Sequence, residues 1–240
     1  MTNRNIGRYL SWPTNRLAAL LAPTGIPPNV ITWSALILNF WASLLFASGR
    51  FAAAGGIMIL AGICDLLDGP VARLQNRVSL FGAFLDSIFD RYADLMLFLG
   101  LLVYYVHVDR FRYAVLTGAA MAGAVMVSYA KARANSLVPE SEVGFWDRPE
   151  RLVLMIIGAL ANRMSPVLWI LAIGPNITVI HRIVHTWMQT EGVKRAAARQ
   201  SAKNAANHAA GKSAAQFPPI APRGPSDASP ILTRTAGRGR

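Results

Sequence analysis

Long apolar runs, separated by short polar or glycine- and proline-containing stretches, dominate the first 190 residues of the chain. A helix that crosses the hydrocarbon core of a bilayer needs about 20 mostly apolar residues. Six runs meet or approach that length: Val30–Ala47, Phe51–Ala72, Leu80–His107, Tyr113–Ala134, Arg151–Ala161 extended by its flanks, and Pro166–Trp187. The fifth is the weakest, because Asn162, Arg163 and Pro166 interrupt it. Ahead of them, Ile6–Leu21 mixes apolar residues with Arg, Trp and Tyr, the pattern of a helix lying in the interface plane. Gly25-Ile26-Pro27-Pro28-Asn29 breaks that helix and turns the chain into the membrane. The pattern predicts an all-α integral membrane protein with six transmembrane helices and an N-terminal interfacial amphipathic helix. Residues 1–28 form the interfacial segment, 29–190 the membrane domain and 191–240 a tail.

Composition agrees with a membrane protein. Of 240 residues, 53% are apolar and 15% charged, against about 25% charged in a soluble domain. The formal charge of +12 suits an anionic membrane surface. Cys64 is the single cysteine, which excludes a disulfide framework and a cysteine-cluster metal site. Six spans would put Arg4, Arg8, Arg16, Arg73, Arg77, Arg91, Lys131, Arg133, Arg148, Arg151 and Arg182 on one side and Arg50, Arg110, Arg112 and Arg163 on the other. The richer side is expected to face the cytoplasm across the cell membrane. From Lys194 to Arg240 the chain turns to Ala, Pro, Gly and Ser with nine basic residues and one acid, so a disordered, lipid-contacting tail is expected. No nucleic-acid partner is expected for it.

The acidic residues are concentrated where they cost most. Of twelve, Asp65, Asp68, Asp86, Asp90 and Asp94 fall on predicted membrane helices, where an unpaired charge costs several kcal/mol. Asp65 and Asp68 stand at i, i+3 and Asp86 and Asp90 at i, i+4, so each pair shares a helix face. Two such faces would form a four-carboxylate cup suited to two hard divalent cations, Mg²⁺ or Mn²⁺, rather than zinc. Four aspartates bridging two metals recur where charge on a phosphoryl group in transfer is stabilised. The other readings are a buried ion-pair network with Arg73, Arg77 and Arg91, and the cation path of a coupled transporter. Gly69, Ala72 and Gly82 let backbone approach a bulky ligand, and Arg73 can hold a phosphate, which a cation path does not need.

The pattern Asp65-x2-Asp68-Gly69-x2-Ala72-Arg73-x8-Gly82-x3-Asp86-x3-Asp90 resembles the signature of the CDP-alcohol phosphatidyltransferases, with all eight elements at matching spacing. The resemblance implies a phospholipid-biosynthetic enzyme that transfers a phosphatidyl group from CDP-diacylglycerol to a polar alcohol and releases CMP. It implies Asp65, Asp68, Asp86 and Asp90 as metal ligands, with Asp90 also the base that deprotonates the acceptor. It further implies contacts to the CDP-lipid from Gly69, Arg73, Ser79 and the Pro28-Asn29-Val30-Ile31-Thr32 segment, and a homodimer. Asp94 continues the stripe outside the motif and is expected to partner an arginine.

The stretches Ser128–Ala134, Val143–Arg151 and Val179–Arg182 most resemble the branch that uses inositol phosphate as acceptor, with glycerol 3-phosphate the alternative. The resemblance implies Lys131, Arg151 and Arg182 as holders of the acceptor's phosphate, and a phosphorylated alcohol does need several fixed cations. Read as topology signals, Lys131, Arg133, Arg148 and Arg151 would need no ligand.

Overall fold

The structure is a computed structural model that describes residues 14, 16–137 and 144–215. Among the described residues all regular structure is helical. Six α-helices follow in order: α1 (Pro28–Ala47), α2 (Phe51–Leu74), α3 (Leu80–His107), α4 (Phe111–Leu137), α5 (Arg148–Leu160) and α6 (Met164–Ala215). By length and composition α1, α2, α4 and the Met164–Asn204 part of α6 can each cross a membrane. Helix α3 spans 28 residues but carries Asp86, Asp90, Arg91 and Asp94, and α5 has only 13. Most of the expected interfacial helix lies outside the described residues; its end, residues 16–21, is helical.

Turns between helices share one device. After α1, α2, α3 and α5 a residue takes left-handed backbone: Gly49 (φ 75°), Asn76 (φ 52°), Asp109 (φ 54°) and Asn162 (φ 51°). The next N–H then returns to a carbonyl five residues back, as from Arg50 to Leu45 at 2.8 Å and from Arg77 to Ala72 at 2.9 Å. Glycine, asparagine and aspartate tolerate this conformation best, so each turn reverses the chain within a few residues. Helix α1 starts differently: extended Pro27 precedes Pro28 in the first turn, whose missing N–H has no helical partner to lose.

Helix α1 packs on α2 and α3, α3 on α4, and α2 on α5. One core joins Phe46 of α1, Met58 of α2, Leu97 and Leu101 of α3, Met155 of α5 and Leu168 of α6. The α1–α3 crossing is close: a Cβ at Gly100 would collide with the Ser43 carbonyl, and Ser43 Oγ donates to the Met96 carbonyl at 2.6 Å. Large apolar side chains such as Trp41, Leu60, Ile177 and Ile183 face outward, the inverse of a water-soluble surface.

The chain divides into two compact units, Met1–Thr190 and Glu191–Arg240. Disorder was expected from Lys194 onward, but helix α6 continues to Ala215. The reason is local: residues 194–215 are rich in alanine, the strongest helix former, and the Pro and Gly content rises only afterwards.

Candidate active site

The chemistry gathers where α2 ends and α3 begins. Asp65 and Asp68 lie on the last turns of α2, and Asp86 and Asp90 on the first turns of α3. Asp65, Asp68 and Asp86 each present an oxygen such that the three atoms lie within 4.8 Å of one another. An all-oxygen, half-buried set of this spacing fits a hard divalent cation. Thr32 fixes one member by donating to Asp68 Oδ2 at 2.9 Å, and the Gly69 N–H donates to the other oxygen at 2.6 Å.

Beside these carboxylates is a cavity of about 370 Å³ lined by Pro28, Asn29, Thr32, Asp68, Gly69, Ala72, Arg73, Arg77, Ser79, Gly82 and Asp86, among others. It brings together most of the residues expected to touch the CDP-lipid. Val30 and Ile31 are not brought to it: Val30 points outward, and Ile31 is buried with Ala18, Leu67 and Val71. At about 100° per residue, Pro28, Asn29 and Thr32 fall within one arc of about 100°, with Ile31 about 60° outside it on one side and Val30 about 100° outside it on the other. Ser79 lines the cavity and also caps α3, accepting from the Gly82 N–H at 2.9 Å.

The principal cation at the carboxylates is Arg148, from the first turn of α5 rather than from the neighbouring stretch. Its Nη1 lies 2.5 Å from Asp65 and 2.7 Å from Asp90, tying the fourth aspartate to the other three. Arg91 contributes a looser contact to Asp90 at 3.8 Å, while Arg73 and Arg77 line the cavity. Asp94 partners arginine as expected: it lies 2.6 Å from Arg151 Nη2 and 3.5 Å from Arg148 Nε.

Of the three cations expected to hold an acceptor phosphate, two are brought together. Lys131 Nζ and Arg182 Nη2 each lie 2.7 Å from a different oxygen of Asp147. Partial burial pushes the Asp147 carboxyl up, but the hydrogen bonds and charges of Lys131 and Arg182 outweigh it and hold it below the ordinary carboxylate range. Arg151 stands apart. It is 2% exposed, and its guanidinium is committed to Asp94 and the Trp146 carbonyl. The expectation that it stands open to an acceptor is corrected, because its polar head points into the helix bundle, where both Nη atoms are bonded to protein.

Arg148, Asp147 and Arg77 were not among the residues expected to form the site. Arg77 was within reach of sequence reasoning, four residues past Arg73 and just beyond the α2 turn. The partners of Arg148 and Asp147 were not, since Arg148 meets Asp65 across 83 positions of chain.

Similarity to known proteins follows the same residues. The profile of the CDP-alcohol phosphatidyltransferase family matches residues 26–191. The archaetidylinositol phosphate synthase of Methanothermobacter thermautotrophicus is 33% identical over 171 residues, covering 68% of this chain and 85% of that protein. The phosphatidylinositol phosphate synthase of Mycobacterium tuberculosis is 31% identical over 199 residues, 77% of this chain and 90% of the relative. The crystal structure of that mycobacterial synthase with CDP-DAG bound superposes with a TM-score of 0.66 at 30% identity, covering 72% of this chain and 93% of that one. Its complex with manganese and citrate gives 0.66 at 30% identity, covering 72% and 88%.

Proposed function

Since the chain belongs to the CDP-alcohol phosphatidyltransferase family, we propose that it transfers a phosphatidyl group from CDP-diacylglycerol to inositol phosphate, forming phosphatidylinositol phosphate and CMP. It is a multi-pass membrane transferase of phospholipid biosynthesis. The observation that carries the reading is that Asp68 and Asp86 belong both to the three-carboxylate cluster and to the wall of the 370 Å³ cavity. A metal site and a nucleotide-lipid site thus share a wall, as the reaction requires. The names of relatives, two inositol phosphate lipid synthases of archaeal and mycobacterial source, support the acceptor.

Asp65, Asp68, Asp86 and Asp90 would hold two divalent ions, Mg²⁺ or Mn²⁺, which when bound neutralise charge developing on the pyrophosphate of the CDP-lipid. Gly69, Gly82 and Ser79 keep the cavity wall low, and Arg73 and Arg77 offer guanidinium groups to the phosphates. Thr32 orients Asp68 from the facing helix. Lys131 and Arg182 hold the phosphate of the acceptor and so aim its hydroxyl. Asp90 accepts the hydroxyl proton as that oxygen bonds to the phosphorus next to the diacylglycerol; the bond from this phosphorus to the CMP oxygen breaks, and CMP departs. Arg148 offsets the negative charge of Asp65 and Asp90, and Arg151 anchors α5 to α3 through Asp94.

In this reading the chain crosses the cell membrane six times as a homodimer, with the carboxylates and Lys131 on the cytoplasmic side and α5 as a short crossing. The excess of basic residues on that side supports the orientation. The test is CMP release from CDP-diacylglycerol by the purified protein, with Mg²⁺ or Mn²⁺ and separate acceptors: inositol phosphate, glycerol 3-phosphate, free inositol and serine. Release with inositol phosphate, abolished by EDTA, is the expected result. Release with glycerol 3-phosphate alone would replace the acceptor, and metal-independent release would overturn the site.

A further inference from the structure

We propose that Asp147 is the resident counter-anion of the acceptor site, and that a phosphorylated acceptor enters by displacing its carboxylate from Lys131 and Arg182. The proposal rests on the reading above that these two cations hold the acceptor's phosphate.

Asp147 occupies the N-cap position of α5 in extended backbone, where an aspartate ordinarily accepts from an N–H of the first turn, yet its side chain makes no capping hydrogen bond. Both oxygens are given to cations from other helices, Oδ2 to Lys131 of α4 and Oδ1 to Arg182 of α6, each at 2.7 Å. Arg182 is fixed independently, since Nη1 donates to the Val127 carbonyl at 2.7 Å. Backbone just before Asp147 approaches it closely: a Cβ on Gly144 (φ 124°) would come within 2.8 Å of Arg182 Nε. Trp146 anchors that segment against Gly174, where an added Cβ would lie 2.6 Å from the indole.

The result is a fixed, buried guanidinium and a reachable ammonium with one carboxylate between them. The Arg182 side chain is only 5% exposed, so stripping its counter-ion without replacement is unfavourable. Lys131 and Asp147 are reachable, at 42% and 29%. Taken by themselves, Lys131, Arg182 and Asp147 sum to +1, whereas a phosphate monoester carries about −1.5 to −2 at neutral pH. A phosphate therefore matches the pair better than one carboxylate does, and an unphosphorylated alcohol has no charge with which to displace Asp147. The arrangement selects for a phosphorylated acceptor by competition as well as by attraction. Arg148, the next residue, bridges Asp65 and Asp90, so the exchange takes place one position from the reacting centre.

The experiment measures binding of inorganic phosphate to the full-length protein in detergent, together with KM values for inositol phosphate and CDP-diacylglycerol. Asp147→Asn should tighten phosphate binding and lower the KM for inositol phosphate by about fivefold or more, leaving the KM for the CDP-lipid unchanged. Asp147→Ser, which supplies a favoured N-cap, should behave alike and serves if the asparagine variant does not fold. Phosphate binding that is unchanged or weakened in the folded variant would overturn the proposal and make Asp147 a scaffold. Lys131→Met and Arg182→Gln test the underlying reading separately. Each should raise the KM for inositol phosphate about tenfold or more, and if neither does, the acceptor site is elsewhere whatever Asp147 does.

Discussion

Single side chains decide how four carboxylates coexist in a low-dielectric site. Arg148 neutralises Asp65 and Asp90 from a distant helix, so Arg148→Gln leaves like charges facing one another. Its melting temperature in EDTA should fall by the equivalent of about 3 kcal/mol. The stabilisation gained on adding Mn²⁺ should exceed that of the wild type, because the ions then supply the missing charge; equal gains in both proteins would contradict the role. Thr32→Val removes the hydrogen bond to Asp68 without changing shape. It should weaken Mn²⁺ binding by about tenfold or more, read by titration, with little loss of fold stability. The sequence made the acidic face legible because helical spacing alone aligns Asp65 with Asp68 and Asp86 with Asp90. It could not reveal Arg148 or Asp147 as partners, since no periodicity links residues that meet only when α5 docks against α2 and α3. Arg151 illustrates the converse: the resemblance implies a cation that holds the acceptor's phosphate, whereas the packed structure buries it against Asp94.

Among the elements, the helices were legible almost throughout, because apolar run length and turn residues act locally. Gly49, Asn76, Asp109 and Asn162 end four of them with left-handed backbone, and these residue types are what such turns demand. Helix α6 is the exception: low hydrophobicity after Lys194 points to disorder, while alanine's helix propensity accounts for the helix that runs to Ala215. The α1–α3 crossing depends on Gly100, so Gly100→Leu should destabilise the protein by about 3 kcal/mol or prevent folding, checked by thermal melting in detergent. The loop into α5 carries a pH dependence. Asp147 titrates lower when folded than when unfolded, so its contribution is present above the unfolded value and is lost as pH falls through the folded one. In phosphate-free buffer the wild type should exceed Asp147→Asn in melting temperature at neutral pH, and the difference should close below about pH 4. A difference that stays constant well below about pH 4 would contradict the ion cluster.

For the whole molecule, the fold places an apolar core away from the carboxylates and a charged, cavity-bearing end around them. That division lets a lipid-embedded bundle work on a substrate whose tail is in the bilayer and whose nucleotide is in water. All described site residues precede Glu191, so a chain ending at Thr190 should retain turnover; its loss would give residues 191–240 a part in the reaction. The central claim is metal-dependent phosphatidyl transfer at the four aspartates. Its most direct test is product analysis with CDP-diacylglycerol, inositol phosphate and Mn²⁺, comparing the wild type with Asp90→Asn. The account predicts phosphatidylinositol phosphate and CMP in equal amounts from the wild type, neither in EDTA, and neither from Asp90→Asn although that variant still binds the CDP-lipid. Equal turnover by Asp90→Asn, or CMP formed without the inositol lipid, would contradict it.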